Sequence, residues 1–207
     1  MRVKVCGVIT EESIAALTGQ ADFVGFNFWP RSSRYVTPVR AAELAEGLEN
    51  RIQRVGLFVD ADPAAVTQAL EAMQLDLLQF HGAETPDYCR SFGVPFMKAF
   101  RLRDERTLSA IGDYIDGPNS AFLVDAFVTG VVGGSGHPVR LDLAARARES
   151  TDARMFLAGG LTASTVAGAV SLVSPFAVDV ASGVETAPGH KDPALVADFA
   201  RAARGTT

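Results

Sequence analysis

Several residues able to move protons or hold anions stand at or just after the ends of short apolar runs. They are Cys6, Asn27, Asp60, His81, Arg101, Asp125, Gly159-Gly160 and Asp179. A thiol and a carboxyl can both exchange protons, so Cys6 and Asp125 are candidates for chemistry. Glycine turns let backbone N–H groups approach an anion closely. Three such turns fall late in the chain, at Gly133-Gly134-Ser135-Gly136, Gly159-Gly160 and Ser182-Gly183. Each residue also has an ordinary structural reading. A free cysteine is often a small buried hydrophobe, and an aspartate after a strand often caps a loop. His81 before Gly82 reads equally as a turn residue bonded to the backbone. Lys4 reads as a partner for an inward carboxylate such as Asp179, and the glycines as permissive turns. Cys89, in Tyr88-Cys89-Arg90 on an expected helix, reads as filler.

Position favours the chemical reading for Cys6 and Asp125. The β-favouring runs are Arg2–Cys6, Asp22–Phe28, Gln53–Val59, Leu75–Phe80, Pro95–Phe100, Phe122–Asp125, Met155–Ala158 and Phe176–Val180. Expected helices lie near 11–19, 38–49, 63–73, 86–92, 104–112, 140–149, 163–171 and 193–204. Thr37-Pro38, Asp62-Pro63, Thr85-Pro86 and Asp192-Pro193 each set an N-cap acceptor before a proline, whose missing N–H is harmless at the first helical position. Thr10 and Thr162 are further expected caps, with Glu11 and Glu12 placed to suit the helix dipole. Strand and helix thus alternate eight times, which specifies an α/β fold: a single-domain (β/α)8 TIM barrel over residues 1–207, with about 205–207 a disordered tail. An open doubly wound sheet usually has fewer strands and a glycine-rich turn after the first, whereas the glycine-rich turns here come late. At 207 residues the chain is short for the barrel but within its range.

In a parallel barrel all strand C-termini open on one mouth, where the chemistry gathers. Alternation along each strand then decides which side chains enter the interior. Val3 and Val5 suit the layer beneath the helices, which sends Lys4 and Cys6 inward. Leu123 and Asp125 share one parity, Gln79 and His81 another, and Asp179 faces in while Phe176, Val178 and Val180 face out. Turns after strands seven and eight are the habitual phosphate position of this fold, which favours Gly159, Gly160, Ser182 and Gly183.

Composition narrows the partners. Hydrophobic residues make up 48% and charged residues 21%, with net charge −5 and no basic cluster, so nothing recommends nucleic acid. No apolar stretch approaches the roughly 20 residues that span a bilayer. Met1 to Cys6 reads as a strand rather than a signal peptide. The two cysteines, Cys6 and Cys89, lack metal-ligand spacing and point to no oxidising compartment. A cytoplasmic protein acting on a small molecule, as monomer or homodimer, is expected.

Lys4-Val5-Cys6-Gly7-Val8, the segment Val24-Gly25-Phe26-Asn27-Phe28-Trp29-Pro30-Arg31-Ser32-Ser33-Arg34-Tyr35, and Gln79-Phe80-His81-Gly82 closely resemble the phosphoribosylanthranilate isomerases of tryptophan biosynthesis. So do Val124-Asp125, the turn Gly133–Gly136, and Val178-Asp179-Val180-Ala181-Ser182-Gly183-Val184-Glu185. The motifs run in family order from residue 2 to about residue 192. The resemblance implies a barrel with no metal or organic cofactor and an Amadori rearrangement of N-(5-phosphoribosyl)anthranilate. It implies Cys6 as general base, Asp125 as general acid, Arg34 on the anthranilate carboxylate, and Gly159, Gly160, Ser182 and Gly183 on the phosphate. Gly134, Ser135, His81 and Asp179 are expected to border the substrate. After Gly136 the family usually continues with a Phe-Asp-Trp-like segment; this chain has His137-Pro138-Val139-Arg140-Leu141-Asp142-Leu143. Ile9 stands where threonine is common.

Three rivals have recognisable signatures. The histidine-pathway sugar isomerase resembles a barrel with an aspartate where this chain has Cys6, and it needs a second phosphate site. A binding barrel without turnover needs the glycines but neither Cys6 nor Asp125. A metal-dependent epimerase or aldolase barrel needs a histidine/carboxylate cluster or a Schiff-base lysine, and His81, His137 and His190 are widely spaced.

Overall fold

The computed structural model describes residues 1–102, 105–117, 120–125 and 141–205. Eight parallel strands close into one barrel in sequence order: β1 (Arg2–Cys6), β2 (Phe23–Asn27), β3 (Gln53–Phe58), β4 (Leu77–Phe80), β5 (Phe96–Arg101), β6 (Ala121–Asp125), β7 (Arg154–Ala158) and β8 (Ala177–Val180). The interleaved helices are α1 (Glu11–Ala15), α2 (Pro38–Ala45), α3 (Pro63–Ala72), α4 (Pro86–Arg90), α5 (Glu105–Ile111), α6 (Leu141–Glu149), α7 (Val166–Val173) and α8 (Pro193–Arg204). The expected barrel is therefore present.

Local chemistry explains the helix starts. Thr37, Asp62, Thr85 and Asp192 each accept a hydrogen bond from a backbone N–H of the first turn, with proline inside it. Thr10 caps α1 by accepting from Ser13 N–H. Thr162 is different from expectation. The helix after β7 begins four residues later, with Thr165 at the N-cap position and no side-chain cap bond. Thr162 instead exchanges hydrogen bonds with Thr165 and Ser164 in the turn before the helix. Gly205 closes α8 in the left-handed conformation, and residues 206–207 of the expected tail lie outside the described residues.

Strand alternation divides the apolar residues into two layers. Val3, Val5, Val24, Phe26, Phe80, Phe122, Val124, Leu157 and Val178 lie between sheet and helices. Phe23, Val55, Leu77, Met97, Leu123 and Phe156 fill the barrel interior. Burying one such aromatic contributes roughly 1.5–3 kcal/mol. Phe176, expected to face outward with Val178, packs instead on the interior cluster against Phe156, with ring centroids 5.7 Å apart. It precedes β8, so strand alternation does not bind it.

Three elements between β8 and α8 have no counterpart in the expected pattern. A 3-10 turn, Ser182–Val184, follows β8, and then β9 (Glu185–Ala187) pairs antiparallel with β10 (His190–Lys191). They fold over the end of β1. Ser13 Oγ donates to Gly189 O, and Lys191 N donates to Ser13 Oγ.

Candidate active site

A cavity of about 330 Å³ opens at the carboxyl ends of the strands. Cys6, Arg34, His81, Asp125, Gly159, Gly160, Asp179, Ser182 and Gly183 all line it, joined by Gln79, Arg101, Asn27 and Trp29. Nine of the expected site residues thus converge. The remaining two, Gly134 and Ser135, lie with His137 and the rest of segment 126–140 outside the described residues. A larger cavity of about 520 Å³, lined by Phe23, Phe156, Phe176 and Tyr114, lies at the opposite end of the barrel, away from this chemistry.

The thiol of Cys6 occupies a space that its neighbour strand leaves empty. Cys6 lies beside Gly25 in the β1–β2 register. A β-carbon on Gly25 would sit 2.7 Å from Cys6 Sγ, so only glycine there admits the sulfur. Burial pushes the Cys6 thiol above its ordinary pKa, and the Lys4 ammonium pulls the other way. Lys4 is fully buried and donates to Asp179 Oδ1 at 2.9 Å. Burial alone would lower the pKa of Lys4, but the charges of Asp179 and Cys6 outweigh it and hold that pKa above the usual value. Both structural and electrostatic readings of Lys4 therefore apply: it pairs with Asp179 and also faces the thiol.

Asp125 ends β6 beside Arg101 of β5 and Ala158 of β7. It is half-buried on the cavity wall. Across the mouth, burial drives the pKa of His81 down, with Asp125 opposing, so the imidazole is neutral at physiological pH. The turn that carries His81 is braced from below. Gly82 N–H donates to Glu84 Oε2 at 2.9 Å, and Lys98 Nζ donates to the same oxygen at 3.1 Å.

Arg34 is organised by its own loop and by a distant acid. Asn27 Nδ2 donates to Ser32 Oγ, Trp29 N–H donates to Asn27 Oδ1, and Arg34 N–H donates to Ser32 Oγ. Its guanidinium meets Glu185 twice, Nε to Oε1 at 2.8 Å and Nη2 to Oε2 at 2.6 Å. Glu185 also accepts from Lys191 Nζ at 2.5 Å and from Gly189 N–H at 3.0 Å. Burial favours the neutral acid, but the bonds from Arg34 and Lys191 overcome it and hold Glu185 below its ordinary pKa. Lys191 Nζ donates further to Cys6 O at 2.6 Å and to Ala181 O at 3.2 Å. Glu185 and Lys191 were not among the expected site residues. The one signal for Glu185 is its place just after Ser182-Gly183-Val184. Glu185 uses the side-on edge of Arg34, which leaves the end-on pair, Nη1 with Nη2, as the face suited to a carboxylate.

The turns after β7 and β8 touch. A β-carbon on Gly183 would lie 2.1 Å from the carbonyl oxygen of Leu161, so the two backbones meet only because residue 183 has no side chain. Gly159 and Gly160 have φ of 106° and 62°. Among the described residues, no cluster of three or more His, Cys, Asp or Glu side chains forms a metal site, and no helix is long and apolar enough to cross a membrane.

A thiol, a carboxyl and a neutral imidazole around one small cavity, with glycine turns at β7 and β8, match a barrel that moves protons on a phosphorylated sugar. Known proteins agree. A family model described as N-(5'phosphoribosyl)anthranilate (PRA) isomerase matches residues 3–202. The N-(5'-phosphoribosyl)anthranilate isomerase of Geobacter sulfurreducens is 43% identical over 206 residues, 99% of each chain. The crystal structure of phosphoribosyl anthranilate isomerase from Thermotoga maritima superposes with a TM-score of 0.89 at 34% identity, covering 99% of each chain. A crystal structure of phosphoribosyl anthranilate isomerase in complex with reduced 1-(o-carboxyphenylamino)-1-deoxyribulose 5-phosphate gives a TM-score of 0.87 at 32% identity, again covering 99% of each chain. With motif order, barrel and cavity all in agreement, this chain belongs to the N-(5'-phosphoribosyl)anthranilate isomerase family.

Proposed function

We infer that the chain isomerises N-(5-phosphoribosyl)anthranilate to 1-(2-carboxyphenylamino)-1-deoxyribulose 5-phosphate, an Amadori rearrangement in tryptophan biosynthesis, with Cys6 and Asp125 carrying the proton transfers. The observation that supports this most is that Cys6 and Asp125 line one cavity together with the β7 and β8 glycine turns. Asp125, protonated, gives its proton to the furanose ring oxygen. The C1–O bond breaks as the anilino nitrogen pushes in its lone pair, leaving a protonated Schiff base and an Asp125 carboxylate. The Cys6 thiolate then takes the C2 proton. The C2–H electrons form the C1=C2 bond, and the C=N pair returns to nitrogen, giving an enolamine that tautomerises to the ketone. Acid and base act on different atoms, which is why they stand apart on β6 and β1.

Charge around Cys6 serves that step. The thiol is buried and rests in its neutral form, so thiolate formation depends on the cations nearby, Lys4 first and Lys191 after it. The substrate needs handles at both ends to hold C2 near the sulfur. Arg34 supplies one through its end-on N–H pair toward the anthranilate carboxylate. Backbone N–H groups of Gly159-Gly160 and Ser182-Gly183 supply the other toward phosphate, and His81 and Asp179 border the sugar between them. This chemistry runs without a metal or organic cofactor.

The partner is a small molecule, and the working unit is a monomer or homodimer. Two buried, unbonded thiols favour a reducing compartment, the cytoplasm. Mixing the purified protein with phosphoribosylanthranilate should remove the anthranilate fluorescence at a rate proportional to enzyme. Loss no faster than the uncatalysed control, with the substrate still bound, would favour a binding barrel instead.

A further inference from the structure

The roles above leave Gln79 unused, although it is only 1% exposed and lines the same cavity as Cys6 and Asp125. Its amide nitrogen lies 3.4 Å from Nδ1 of His81. Its amide oxygen is buried with no hydrogen-bond partner among the described residues. The buried lysines nearby are all partnered, Lys4 by Asp179, Lys98 by Glu84 and Lys191 by Glu185. A buried carbonyl oxygen without a donor is a cost that folded proteins rarely carry without a use. Packing does not ask for an amide here. At the same level β3 and β5 present Leu57 and Met97, so a leucine or methionine at position 79 would match its neighbours.

The substrate's own chemistry says what the oxygen can receive. Its phosphate, its carboxylate and its ring oxygen carry lone pairs and repel a bare carbonyl. Its donors are the anilino N–H, which the ortho carboxylate already satisfies, and the sugar hydroxyls. We propose that Gln79 is a substrate-contacting residue whose amide oxygen accepts a hydrogen bond from a hydroxyl of the sugar. The same side chain, donating through its amide nitrogen to Nδ1, fixes neutral His81 with its hydrogen on Nε2. Gln79 thereby positions a donor while serving as an acceptor itself. This inference rests on the isomerase reading of the site.

The test uses the reduced product analogue, which keeps the hydroxyls and does not react, and inorganic phosphate, which has none. Inhibition by each is measured for wild type, Gln79→Met and Gln79→Glu. Gln79→Met should weaken the analogue about tenfold and leave phosphate inhibition unchanged. Gln79→Glu keeps an acceptor oxygen and should bind the analogue within about threefold of wild type. Gln79→Asn, one methylene shorter, should repeat the methionine result and stands in should that variant fail to fold. Unchanged analogue inhibition in the methionine and asparagine variants would mean that the oxygen meets only water. Equal weakening of analogue and phosphate would mean a distorted site, and either result overturns the proposal. Wild-type turnover is measured alongside: its absence sinks the isomerase reading itself, whereas its presence with unchanged inhibition sinks only Gln79.

Discussion

Replacing Gly25 by alanine tests the catalytic geometry while leaving every polar group in place. The new β-carbon would lie 2.7 Å from Cys6 Sγ, 3.1 Å from Cys6 Cα and 3.2 Å from Cys6 Cβ. Non-bonded atoms of this size rest about 3.5–4.0 Å apart, so the sulfur has to retreat by roughly 0.8 Å or more. The backbone cannot give way easily, because Cys6 and Gly25 are paired in the β1–β2 register. The side chain therefore swings, and a misplacement of about 1 Å at the reacting centre costs on the order of 10²-fold. The handles proposed for carboxylate and phosphate, Arg34 and the β7 and β8 turns, sit on other loops, so KM should stay within about threefold while kcat falls. Overpacking should also remove about 1–3 kcal/mol of stability. Steady-state loss of anthranilate fluorescence gives kcat and KM, and a thermal melt reports folding. In a Cys6→Ala background the same substitution should cost no further rate, since no sulfur remains to displace. A folded Gly25→Ala enzyme with kcat within twofold of wild type would refute the placement of the thiol as base.

Cys6→Ala and Asp125→Ala should each lower kcat by about 10²–10⁴-fold with the melt little changed; a variant within a few-fold of wild type loses its assigned role. Arg34→Lys keeps the charge but not the planar fork, so KM should rise for the natural substrate and not for an analogue lacking the aromatic carboxylate; equal losses on both would make Arg34 a brace for its loop. Alkylation by iodoacetamide, followed against pH, should modify Cys6 with an apparent pKa above that of a free thiol, because burial favours the protonated form, while Cys89, pushed up to about 12, stays silent. Lys4→Met removes the cation nearest the thiol, so that titration should move still higher. It also strands the Asp179 charge, and urea unfolding should show a loss of about 3–5 kcal/mol; a smaller loss with an unmoved titration would deny Lys4 both roles.

What the sequence made legible was what local chemistry writes into neighbouring residues. Four Thr-Pro and Asp-Pro caps were readable because the cap acceptor and the proline are adjacent. Lys4, Cys6 and Asp179 were placed inside the barrel by alternation alone. Alternation failed at Phe176, one residue before β8, where the pleat has not begun. Thr162 has the right residue type for a cap, but its hydroxyl is engaged with Ser164 and Thr165. The Arg34–Glu185–Lys191 network was hidden for a different reason. Arg34 and Glu185 are 151 positions apart, and Glu185 and Lys191 lie on short strands with no periodic signature. Gly25 read as part of a family motif, and nothing in its own segment announces that its missing side chain is the pocket for a sulfur nineteen residues earlier in the chain, at Cys6.

The buried bond from Lys4 to Asp179 joins the first strand of the barrel to the last, across 175 positions. Lys191 reaches Cys6 O across 185, and Arg204 reaches Asp22 across 182. Closing a loop of that length costs about 5 kcal/mol of chain entropy by ideal-chain scaling. Within the barrel, Cys6 and Lys4 lie on the first strand, yet the other two charged groups that act on the thiol, Asp179 and Lys191, belong to its last elements. On the ribosome, then, strands one to seven can pair in order while β1 waits with one edge open and Lys4 without its counter-ion. Catalytic competence appears only as β8 and the β9–β10 hairpin emerge and dock, so the onset of activity marks closure of the ring itself.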